Sequence, residues 1–305
     1  MKTIIAYFSQ TQNTRKIGEK IRDGIISVTG QCDFVPLKDL QIAELAEYQL
    51  IGIGCPVHYY KEPFNVSDFL QSLPQQNGRH WFVFCTHGSV IGGIFPSMAQ
   101  KLTTKDATVI GYFNSYANIA VPYYPRPSYT SGHPDALDLD QAEQFGREMV
   151  ERSRQIQNNR PDLIPTPGPV SSPEWIKAAE RTTLEFLNKH MPVLTVDPEK
   201  CNQCEACQKK CPVGGIDIHA DPPKIQEPCI YCWHCTLVCP FQAIRADWEN
   251  LEKIAPDYYA RYKEELNRVS ANGRFRWLMD PDKINFDDPL HKQLERGALK
   301  KPKSS

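Results

Sequence analysis

Several features are missing from this chain, and each absence excludes something. No apolar run approaches the roughly 20 residues that a membrane-spanning helix needs, so no membrane span is expected. The opening Met1-Lys2-Thr3-Ile4-Ile5-Ala6-Tyr7-Phe8-Ser9 is too short an apolar run for a signal peptide, and no cleavage site follows it. Charge of one sign is not in excess: 35 Lys and Arg stand against 36 Asp and Glu, for a formal net charge of −1. That balance gives no general reason to expect nucleic acid or an acidic membrane surface as a partner. No strand-like run leads into Gly-x-Gly-x-x-Gly, which argues against a dinucleotide site of that type. What is left is a globular chain of 305 residues, 41% apolar and 23% charged, expected in the cytoplasm and long enough for two cored domains.

Cysteine, by contrast, is abundant. A compartment that keeps thiols reduced gives eleven cysteines no reason to be disulfides. Cys32, Cys55 and Cys85 are scattered through the first half, where small buried hydrophobes are the expected reading. The other eight fall between residues 201 and 239, a concentration that reads as metal ligation. They form two runs of one spacing. One is Cys201-x-x-Cys204-x-x-Cys207-x-x-x-Cys211-Pro212, and the other is Cys229-x-x-Cys232-x-x-Cys235-x-x-x-Cys239-Pro240. Zinc takes four ligands, usually in two pairs, and has no use for the repeated third cysteine or the Cys-Pro dipeptide. Iron–sulfur clusters do.

On those runs, and on the repeated Pro212-x-x-x-Ile216 and Pro240-x-x-x-Ile244, residues 193–247 resemble a bacterial-type ferredoxin with two 4Fe–4S clusters. In such ferredoxins the fourth cysteine of each run ligates the other cluster. The resemblance therefore implies one cluster on Cys201, Cys204, Cys207 and Cys239, and a second on Cys229, Cys232, Cys235 and Cys211. It also implies a small α+β domain and one-electron chemistry.

The first half has a different grammar. Short apolar runs at Thr3–Phe8, Asp33–Leu37, Leu50–Gly54, Trp81–Cys85 and Thr108–Phe113 alternate with amphipathic stretches. Ile17, Ile21, Ile25 and Ile26 before Gly30 illustrate the helical spacing, and a last helix is expected over about 138–157. Strands alternating with helices imply a doubly wound parallel sheet. Five prolines then fall within residues 161–173, a semi-rigid connector and the expected boundary. The domains are thus expected at 1–160 and 193–247, joined by a linker and helix at 161–192. An extension, 248–305, matches neither pattern and ends in the basic Lys300-Lys301-Pro302-Lys303.

The first run leads into Ser9-Gln10-Thr11-Gln12-Asn13-Thr14-Arg15-Lys16, which opens a helix. Hydroxyls and amides at a strand-to-helix turn, with free helix N–H groups, make a phosphate cradle. The terminal Gly-Lys-Ser/Thr of a Walker A loop is absent. Ordinary helix capping explains one such polar residue, and here there are several. Ser9, Thr11, Asn13 and Thr14 match the FMN-phosphate loop of flavodoxins, and Gln12 stands where those proteins usually have glycine. The resemblance covers residues 1 to about 157. It implies strand order 2-1-3-4-5 with ligand at the switch point beyond strands one and three. It also implies two loops beside a flavin ring. One is Pro56-Val57-His58-Tyr59-Tyr60, with Tyr59 or Tyr60 as the stacking aromatic. The other runs from Thr86-His87-Gly88 to Gly92-Gly93.

Taken whole, the chain resembles the flavodoxin–ferredoxin fusion proteins, or ferrodoxins, of anaerobes. That likeness implies an electron carrier that moves electrons between FMN and two 4Fe–4S clusters, with a redox protein as partner. Two other readings stay open. One is an FMN-dependent reductase of a small substrate, its pocket walled by the aromatic Tyr112–Tyr129 stretch. The other is a docking protein with a degenerate flavin site.

Overall fold

The computed structural model describes residues 1–168, 171–221, 223–225 and 228–299, so the basic residues Lys300–Lys303 lie outside it. The chain divides into two compact units: Met1–Asn118 with Gly132–Arg181, and Ile119–Ser131 with everything from Thr182 onward. Among the described residues no helix is long and apolar enough to cross a membrane.

In the first unit β1 (Thr3–Tyr7), β2 (Asp33–Pro36), β3 (Leu50–Pro56), β4 (His80–His87) and β5 (Thr108–Tyr116) form one sheet. All pairings are parallel and the order is 2-1-3-4-5. Helices α1 (Asn13–Thr29) and α4 (Ala136–Gln157) bury Ile17, Ile21, Ile25, Phe145 and Met149 on one face. On the other, α2 (Phe64–Ser72) and α3 (Ile94–Thr103) bury Val66, Leu70, Phe95 and Met98. A sheet covered on both faces needs strands that are apolar throughout. All eight residues of β4 are buried accordingly.

The one helix expected within residues 161–192 is two. Helix α5 (Pro173–Arg181) ends before Thr183, whose Oγ1 accepts the Phe186 N–H at 3.0 Å and caps α6 (Leu184–His190). The break coincides with the division between units, α5 belonging to the first and α6 to the second. The described residues of 161–181, expected in the linker and helix, thus group with the unit that holds the parallel sheet.

The second unit holds two antiparallel ribbons. In one, β6 (Thr195–Val196) pairs β9 (Ile244–Arg245); in the other, β7 (Ile216–Asp217) pairs β8 (Lys224–Ile225). Short helices α7 (Ala206–Lys210) and α8 (His234–Val238) occupy equivalent places in the two cysteine runs. Cys207, Ile216, Ile218 and Ile244 form the shared core. The C-terminal extension builds α9 (Glu249–Ser270) and α10 (Leu290–Arg296).

That extension grips the loop 119–131, which leaves β5 and returns to α4. Tyr124 and Tyr129 lie 5.1 and 4.9 Å, centroid to centroid, from the buried Tyr259 ring of α9. The Leu290 and His291 N–H groups donate to the Tyr124 and Pro122 carbonyls at 2.9 and 2.8 Å. Tyr123 meets Trp248 at 5.7 Å. Of the Tyr112–Tyr129 stretch, expected to wall a substrate pocket in a reductase, Tyr123, Tyr124 and Tyr129 are taken up by packing with α9 and its neighbours, while Tyr112 packs on Phe95 and Tyr116 on His87.

Candidate cluster and flavin sites

The two cysteine runs fold alike because four non-glycine residues take left-handed backbone at matching places. Gln203 and Glu205 have φ of 57° and 61°, and Tyr231 and Trp233 have 51° and 59°. These conformations turn backbone N–H groups toward sulfur. Gln203 donates to Cys201 Sγ and Tyr231 to Cys229 Sγ, both at 3.4 Å. Gly215 donates to Cys211 Sγ at 3.2 Å and Ala243 to Cys239 Sγ at 3.3 Å.

Cysteines of both runs meet at one cavity. It is lined by Cys201, Cys204, Cys207 and Cys239, with Val196, Ile218 and Ile244 as apolar walls. Burial raises the Cys207 thiol pKa, and Cys239 and Cys201 act on it electrostatically. Burial also pushes the Cys235 thiol well up, with Cys232, Cys229 and then Cys211 adding to the effect. Crowded, buried thiols of this kind ionise only when a cation compensates them. The donor set fits a thiolate-bound cluster: four sulfurs per site, apolar walls and N–H groups already directed at sulfur. Cys204 is exposed, which gives the first site an edge on solvent.

The remaining cysteines differ. Cys55 and Cys85 are register partners on β3 and β4, fully buried, their thiols pushed up by desolvation. Burial pushes Cys32 up to about 12. All three are packing groups without thiolate character.

At the carboxyl edge of the sheet, the loop after β1 brings several expected residues together. Thr14 Oγ1 lies 2.7 Å from Thr86 Oγ1, joining the loop to the end of β4. Asn13 Nδ2 donates to the Asn118 carbonyl at 2.9 Å, and the Arg15 N–H donates to Ser9 Oγ at 3.4 Å. Gln12 has φ 68°, the left-handed backbone that explains why glycine suits this position. Its side chain is exposed, with Oε1 accepting from Arg15 Nη1 at 3.4 Å. Thr11 is exposed as well. Gln10, which the loop pattern leaves unspecified, carries a buried Nε2 with no acceptor among the described residues. A buried amide donor beside a helix N-terminus fits a phosphate.

The ring-flanking loops are more built than their sequence suggests. Pro56 ends β3, and the Val57 N–H donates to the Thr86 carbonyl at 2.8 Å. His58 and Lys61 exchange N–H···O bonds of 2.9 and 3.1 Å, with Tyr59 and Tyr60 at the tip of the turn. Gly93 donates to the Tyr60 carbonyl at 3.1 Å, and Tyr60 packs against Trp175 at 4.8 Å. His87 closes β4 with Nε2 3.0 Å from Asn114 Oδ1, and Gly88 follows it. Asn114, Asn118, Ser171 and Trp175 carry no signal in the sequence, since only the folded chain brings them to this edge.

Residues 194–252 match the family model described as a 4Fe-4S dicluster domain. Among solved structures, about half of this chain is similar to a flavodoxin from the domain Archaea: 23% identity, 50% of this chain and 99% of that one, TM-score 0.40. Oxidised flavodoxin 2 from Bacillus cereus is similar at 18% identity, over the same two shares, with TM-score 0.39. A flavone reductase is similar at 12% identity over 52% of this chain and 64% of that chain, with TM-score 0.41. No curated protein matches the sequence. One unit thus has the flavodoxin-like strand order 2-1-3-4-5, and the other contains the stretch that matches a 4Fe-4S dicluster domain.

Proposed function

We propose that this chain relays low-potential electrons between FMN in its first unit and two 4Fe–4S clusters in its second, exchanging them with a cytoplasmic redox protein. The observation that carries this reading is one cavity lined by Cys201, Cys204 and Cys207 of the first run together with Cys239 of the second. Cys201, Cys204, Cys207 and Cys239 would hold one cluster, and Cys229, Cys232, Cys235 and Cys211 the other. Gln10, Asn13, Thr14 and the α1 N–H groups would hold the FMN phosphate, with Pro56–Tyr60, Thr86–Gly88 and Gly92–Gly93 beside the ring. When bound, FMN exchanges up to two electrons and each cluster one.

The protein's own part is electrostatic and steric. N–H groups directed at sulfur favour the more reduced cluster, and exposed Cys204 offers the edge where a partner docks. Assays on anaerobically purified full-length protein should find about eight irons and about one FMN per chain. Zinc in place of iron overturns the reading, and absence of FMN overturns its flavin half alone.

A further inference from the structure

The turn at Tyr59–Tyr60 is strained. His58 and Lys61 pair across it, and its two central residues have φ of 50° and 66°. A two-residue turn with both centres left-handed ordinarily takes Asn-Gly. Two tyrosines there bear a costly backbone conformation, and such strain persists only where surrounding structure imposes it.

That surrounding structure comes partly from beyond the five-stranded fold. Ser171 and Gly92 are bonded twice: the Gly92 N–H donates to Ser171 Oγ at 2.9 Å, and the Ser171 N–H donates to the Gly92 carbonyl at 3.1 Å. Gly92 itself has φ 61°, and a Cβ there would stand 1.8 Å from the Tyr60 carbonyl oxygen. Backbone 92–93 is thus pressed directly on backbone 60. Trp175, 1% exposed, packs on the Tyr60 ring and completes the enclosure. The segment expected to be linker and helix therefore bonds to one of the two expected ring loops, at Gly92, and packs against the other, at Tyr60.

We propose that residues 171–176 are a latch for the flavin site, with Trp175 as its positioning residue. The Tyr60 ring is the anchor, held by Trp175, and Tyr59 is the ring presented to the isoalloxazine. Only a side chain whose neighbour is immobilised can offer an aromatic face without a large ordering cost on binding. This inference rests on the FMN reading above and adds the residues that tune it.

The test uses the full-length anaerobic chain, with FMN as the probe. FMN affinity is read by fluorescence quenching, the bound flavin's asymmetry by visible circular dichroism, and integrity by far-ultraviolet dichroism and iron content. Trp175→Ala and Ser171→Ala should each weaken FMN binding by about tenfold, the scale of one lost aromatic pair or hydrogen bond. Both should change the visible dichroism while iron content stays constant, and Trp175→Phe should restore both readouts. A folded Trp175→Ala protein with parental FMN affinity and dichroism overturns the latch. Should that variant fail to fold, Ser171→Ala decides by the same readouts. A parent that binds no FMN overturns the flavin reading, and the latch with it, and is distinguished by failing before any substitution.

Discussion

His87 shows how far a residue's state depends on its neighbours. It sits at the end of β4, 5% exposed, and burial pulls its pKa down to about 4. Asn114 and Gly88 oppose that fall, and His133 adds to it. In the unfolded chain the imidazole titrates near the ordinary value of about 6.5. Between those values the unfolded state binds more protons, so stability rises with pH. The contribution is fully present above about pH 6.5 and is lost as pH falls toward 4. Burial also lowers His80, in the same sense. Urea unfolding of the first unit should therefore lose about 2 kcal/mol between pH 7 and pH 5 through His87. His87→Gln should lose correspondingly less over that interval, and an equal loss in both proteins refutes the assignment. The His87 imidazole is identifiable from its place after an apolar run, but its neutrality is set by Asn114 and by depth, which the sequence does not display. Gln12 is similar. Its departure from glycine is plain to read, whereas its left-handed backbone is visible only in the fold.

Among the elements, the strands are the most legible, because a sheet buried on both faces writes continuous apolar runs. Thr3–Phe8 and Trp81–Cys85 mark β1 and β4 to within two residues at each end. The break between α5 and α6 is hidden, since Thr182-Thr183 is compatible with one helix until a cap forms. The cysteine runs lie at the other extreme, since their spacing is itself the chemistry. What spacing cannot show is whether the two runs exchange ligands, and here the geometry makes a sharp prediction. Cys239 lines one cavity with Cys201, Cys204 and Cys207, and Cys211 acts electrostatically on Cys235 alongside Cys232 and Cys229. Cys211→Ala combined with Cys232→Ala should injure a single cluster and leave about four irons. Cys211→Ala combined with Cys204→Ala should injure both clusters. Iron analysis with paramagnetic resonance distinguishes the patterns, and the reverse result means that each run binds its own cluster.

At the scale of the whole molecule, composition and motif order reveal two halves but not how the chain is shared between them. It passes from one unit to the other at 118–119, at 131–132 and at 181–182. A cut near residue 160 would leave Tyr124 and Tyr129 in a fragment without Tyr259, the ring they pack against. It would also remove Ser171 and Trp175 from the first unit. Fragment 193–247 would in turn lack α9, together with the loop that α9 grips. Neither fragment is expected to be well behaved. The structure suggests a better dissection, because the Asn118 N–H donates to the His133 carbonyl at 3.0 Å. The chain ends left by deleting 119–131 are thus already adjacent, and closing so short a gap carries little entropic cost. Residues 1–118 joined by a short Gly-Ser link to 132–181 should express as a soluble, cooperatively unfolding protein. It should bind FMN with near-parental affinity, since the phosphate loop, both ring loops and the latch are all retained. The plain 1–160 fragment should aggregate or bind FMN at least about tenfold more weakly. Comparable solubility and affinity in the two fragments would show that neither the gripped loop nor the latch matters to the first unit.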